Sequence, residues 1–106
     1  FQMFSDTVFT ELPPLFPLGR VVATPAALDA LRLNQMDPSA LLDRHAAGDW
    51  GKLSLTDKVA NAQALSSDDR ILSSYPLPRA TADGDRVYIL TEGNREYTTV
   101  LLNSEY

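Results

Sequence analysis

The 106-residue chain is long enough for one hydrophobic core and too short for two, and its 44% hydrophobic and 22% charged residues are ordinary globular values. It contains no cysteine, which excludes disulfide scaffolds, thiolate zinc sites and thiol nucleophiles together. The net charge of −5 opposes a phosphate backbone, so nucleic acid is not an expected direct ligand.

No apolar run approaches the roughly 20 residues that span a bilayer, and no signal-peptide pattern is visible, so a cytoplasmic protein is expected. Phe1-Gln2 reads as the remnant of a cleaved tag, with Met3 the expected native start. Residues 1–18 form a Phe/Pro-rich arm containing Phe4, Phe9 and Phe16, in which Pro13, Pro14 and Pro17 each fix φ and remove a backbone donor. The arm is expected to be extended, with its phenylalanines on the chain's own core; the alternative is a dimer or partner contact.

Residues 19–106 are expected to form a single α+β domain. Gly19 to Ala23 is a short β-branched run, and Thr24-Pro25 starts a helix, Thr as N-cap and Pro at the first position. In that helix Leu28 and Leu31 share a face, and Ala23 is placed to staple onto Leu28. Asp37-Pro38 repeats the device for a second helix with the stripe Leu41, Leu42, His45, Ala46, ended by Gly48. A third helix is predicted from Thr56 as cap to about Ser67, ending without a glycine.

The period then changes to two. Arg70–Tyr75, Arg86–Thr91 and Tyr97–Leu102 read as strands, the first pair joined by a long connection over 76–85 and the second by a tight turn at Glu92–Arg95. The expected architecture is a short strand, three short helices and a three-stranded antiparallel meander, with the helices on one sheet face.

Residues 45–51, HAAGDWG, hold the only histidine, the only tryptophan and two of the five glycines. His45 could serve as a general acid or base, but it continues an apolar stripe in a helix's last turn, which predicts a buried structural imidazole. Gly48, Asp49, Trp50 and Gly51 make either a loop that closes the core, its indole N–H on a carbonyl, or a partner-binding anchor. Asn61, mid-helix, could tie that loop down, and Arg95 lies in the last hairpin turn. With one histidine and no thiol, no metal or cofactor is expected.

His45 to Gly51, Asn61, Arg70-Ile-Leu-Ser-Ser-Tyr75, Val87-Tyr-Ile-Leu-Thr-Glu92, Arg95, Thr98-Thr99-Val100-Leu-Leu102 and Glu105-Tyr106 carry a resemblance. They resemble a family of small uncharacterised bacterial proteins carried by plasmids and other mobile elements, often labelled plasmid-related or type I restriction subunit. The resemblance covers about residues 19–106, leaves out the arm and departs over 76–86. It implies a mobile-element setting and no particular activity. The restriction label is set aside, because no Gly-rich cofactor motif of a methyltransferase occurs here.

The leading expectation is therefore a non-enzymatic protein-interaction module, a mobile-element accessory or counter-defence protein that binds through the GDWG loop, the arm or a sheet edge. The alternative is a small hydrolase or nuclease using His45, Glu92 and Arg95, which requires His45 to share a pocket with one of the other two. A homodimer with the arm lying across the second copy is the third expectation.

Overall fold

Four strands make one sheet in the computed structural model, which describes residues 13–106. In chain order these are β1 (Arg20–Ala23), β2 (Ile71–Thr81), β3 (Gly84–Thr91) and β4 (Tyr97–Leu102). Helices α1 (Pro25–Leu33), α2 (Pro38–Ala46) and α3 (Leu55–Ala64) lie between β1 and β2, and a 3₁₀ turn (Asn103–Glu105) follows β4. This is the α+β architecture read from the sequence. The meander is present as β2-β3-β4, and β1 extends it by pairing in parallel with β4, from Arg20 opposite Tyr97 to Ala23 opposite Val100.

Register places the core. Tyr75, Val87 and Leu102 lie side by side on adjacent strands, as do Ile89 and Val100, and all point to one face. Ala27, Ala30, Leu31 and Leu41 pack on that face, so the helices form a single layer over it. A second cluster joins Phe16, Trp50, Ala64 and Ile71. Phe16 is thus buried against its own chain, whereas Phe4 and Phe9 lie outside the described residues. Each fully buried aliphatic side chain contributes about 1.5–3 kcal/mol relative to exposure.

Helix starts follow their caps. Thr24 Oγ1 accepts from Ala27 N–H at 3.1 Å and Asp37 Oδ1 from Ser39 N–H at 2.9 Å, each followed by the expected proline. Five local expectations are corrected. Leu28 is exposed, because it stands about 100° around α1 from Ala27, and the buried face is Ala27, Ala30 and Leu31. The cap of α3 is Ser54, whose hydroxyl accepts from Asp57 N–H, and the helix stops at Ala64 rather than Ser67.

The predicted long connection over 76–85 is instead strand and a two-residue turn, Ala82-Asp83, between the paired Thr81 and Gly84. Pro76 and Pro78 fit within β2 because it is an edge strand with an irregularity between Pro76 and Thr81, so no ladder bond there needs their missing N–H. Last, the Trp50 indole N–H is buried without the hydrogen-bond partner expected for it. No described helix is long and apolar enough to cross a membrane.

Candidate functional site

α2 ends by delivering His45 under the sheet, fully buried. Its Nδ1 lies 2.5 Å from Ser73 Oγ and its Nε2 2.9 Å from Thr91 Oγ1, which in turn lies 2.7 Å from Thr98 Oγ1. The far end fixes every proton in this chain. Thr98 donates its hydroxyl to Leu18 O at 2.6 Å, so it must accept from Thr91, and Thr91 must accept from His45 Nε2–H. His45 Nδ1 is then the bare nitrogen that accepts from Ser73. Burial lowers the imidazole pKa from 6.5 to about 4, so the ring is neutral at pH 7.

A serine bonded to a histidine has the form of a nucleophile and its base. Here both side chains are at 0% exposure, and the Phe16 ring stands edge-on to the imidazole at 5.3 Å. A substrate has no approach, and the pair serves to satisfy polar groups inside the core. Arg95 lies over the Phe16 ring, its guanidinium 5.7 Å from the centroid and its donors spent on main-chain carbonyls, and Glu92 pairs with Arg70 at 3.4 Å. His45, Glu92 and Arg95 therefore do not share an open pocket.

The GDWG residues close an edge of the sheet. Gly48 has φ of +92° just past the helix, turning the chain back so that Trp50 packs on Phe16 and Ile71. Ser74 N–H donates to Trp50 O at 3.0 Å and Lys52 N–H to Ser74 O at 2.7 Å, adding a short parallel segment to β2. Between them Gly51, at φ +76°, approaches so closely that a Cβ would lie 2.2 Å from Ser74 O. Arg44 holds the loop from outside, donating to both Asp49 oxygens at 2.7 and 3.3 Å. That hydrogen bonding holds the Asp49 carboxyl below the usual carboxylate range. The Arg44 guanidinium also lies over the Tyr75 ring at 4.6 Å, and Tyr75 donates its hydroxyl to Asp49 O at 2.6 Å. Burial pushes that hydroxyl pKa up to about 12.

Asn61 works on the same edge rather than on the loop. Its amide donates to Leu72 O at 2.8 Å and accepts from Leu72 N–H at 3.2 Å, filling the place of a missing strand. Asn34 repeats this at Arg79, with 3.0 and 2.7 Å. Along β2 the outward positions are thus met by Asn61, the Gly51 segment, Pro76 and Asn34.

Arg95 gathers five carbonyls: Ala64 and Ser67 at the end of α3, Asp69, and Glu92 and Gly93 in its own turn. It supplies the cationic C-terminal cap that α3 lacks in its own sequence. Sequence reasoning missed Asn34, Ser73, Thr91 and Thr98. The last three had a signal: each is a hydroxyl at an inward period-two position otherwise filled by Ile71, Tyr75, Ile89 or Val100.

No family model, curated protein or solved structure matches this chain.

Proposed function

We propose that the chain is a non-enzymatic protein-interaction module, an accessory protein of a bacterial mobile element as its resemblance implies. The observation that supports this reading is the unequal treatment of the two sheet edges. β2 has its outward main-chain groups met at Leu72, Ser74 and Arg79, whereas β1 carries exposed Val21 and Val22 and has no described segment on its outer side. Unpaired N–H and C=O groups flanked by apolar side chains are what strand addition by a partner requires.

Affinity capture from bacterial cells tests it, with wild type, Val21→Pro and Asp49→Ala as baits after each is shown to melt near wild type. Prey held by Asp49→Ala and lost by Val21→Pro is the expected result. Prey lost by Asp49→Ala alone would move the surface to the GDWG loop. Phosphodiester hydrolysis by the purified chain that disappears in His45→Gln would overturn the non-enzymatic reading.

A further inference from the structure

The hydrogen bonds of β1 say which of its groups are left over. Arg20 N–H donates to Glu96 O at 2.8 Å and Thr24 N–H to Val100 O at 3.0 Å, so the alternation of the strand turns the N–H and C=O of Val21 and Ala23 away from β4. Val21 and Val22, one on each face, are 42% and 41% exposed. Arg20–Ala23 holds no proline, and its single charge is Arg20, which makes no ion pair among the described residues.

We propose that this edge pairs antiparallel with the same edge of a second copy of the chain, centred on Val22, joining two four-stranded sheets into one; this rests on the interaction-module reading. In that register Val21 lies opposite the partner's Ala23 and the two exchange main-chain hydrogen bonds. Val22 meets its counterpart at the closer spacing of a non-hydrogen-bonded pair. Arg20 lies opposite the partner's Thr24, a position already tied to a carboxylate: Thr24 donates its hydroxyl to Glu105 Oε1 at 2.8 Å. Each Arg20 therefore reaches the partner's Glu105, and two such pairs form across the dyad.

The net charge of −5 on each copy opposes association, and the Arg20 pairs offset that repulsion where the surfaces meet. The competing two-fold register, centred on Val21, would need Gly19 to pair with the partner's Ala23. Gly19 has φ of +66°, outside the extended region, whereas Thr24 is extended at φ −75° and ψ 150°.

Sedimentation equilibrium of the full chain tests the proposal over about 5–500 μM, the range suited to a small, weak interface. The mass should rise from 11.7 kDa toward twice that value. Val22→Lys sets two ammonium groups opposite each other at the dyad and should weaken association about tenfold or more. Val21→Pro removes an outward N–H without taking a hydrogen bond from β4 and should cause a similar loss. Arg20→Glu should weaken it less. A chain that stays monomeric throughout overturns the proposal, as does a dimer unchanged in folded Val22→Lys. A monomer whose prey depends on Val21 would sink the second-copy contact while leaving the interaction module standing.

Discussion

The two edges of this sheet are built on opposite principles. At β2 the outward main-chain groups of Leu72, Ser74 and Arg79 meet an asparagine amide or the Gly51 segment, supplied by α3, the turn after α2 and the end of α1, and Pro76 has no N–H to offer. At β1 the same kind of groups face outward with two exposed valines beside them. An open edge invites another strand and a closed one refuses it. The HAAGDWG stretch, which looks most like a site in the sequence, belongs to the closed side.

Substitution should separate the two edges by size of effect. Gly51→Ala is expected to be the worst, because its Cβ would sit 2.2 Å from Ser74 O on a backbone at φ +76°; a loss of roughly 4 kcal/mol or more is expected in chemical denaturation. A variant within about 1 kcal/mol of wild type would mean that the closed edge is not rigid.

Acid comes next. The His45 pKa is depressed in the fold, from 6.5 to about 4, so the unfolded chain binds the extra proton between those values and stability falls as pH drops through that window. The stability is fully present above about pH 6.5, and the loss by pH 4 amounts to about 3 kcal/mol. Denaturation curves from pH 8 to 4 should show this slope, and His45→Gln, though less stable at pH 7, should flatten it.

Asn61→Ala leaves Leu72 N–H and C=O without their protein partner and should cost about 2 kcal/mol, with faster exchange of the Leu72 amide. Asp49→Ala breaks a half-exposed ion pair and should lower stability by about 0.5 kcal/mol. Val21→Lys, on the open edge, should leave the melting of the monomer unchanged within about 0.5 kcal/mol. A large loss there would erase the contrast between the edges.

The elements, two of the three helix caps and the last hairpin turn were legible because they depend on near neighbours: Thr24-Pro25 and Asp37-Pro38 start helices by local bonding, and alternation marks β3 and β4. The burial of His45 was legible for the same reason, since it continues the Leu41 stripe. Its partners were not. Ser73 and Thr91, 28 and 46 residues away along the chain, meet it only after α2 has docked on the sheet, and Thr98 joins through Thr91.

By itself, then, the sequence determined the kinds of elements, their order and the starting residues of α1, α2 and β4, through interactions within a turn or two of chain. Tertiary structure alone decided that the last strand lies beside the first, that Asn34, Asn61 and Gly51 all face one strand, and that Arg95 caps a helix 31 residues away. Those facts turn on long-range packing, where the backbone group being satisfied leaves no mark on the residue that satisfies it.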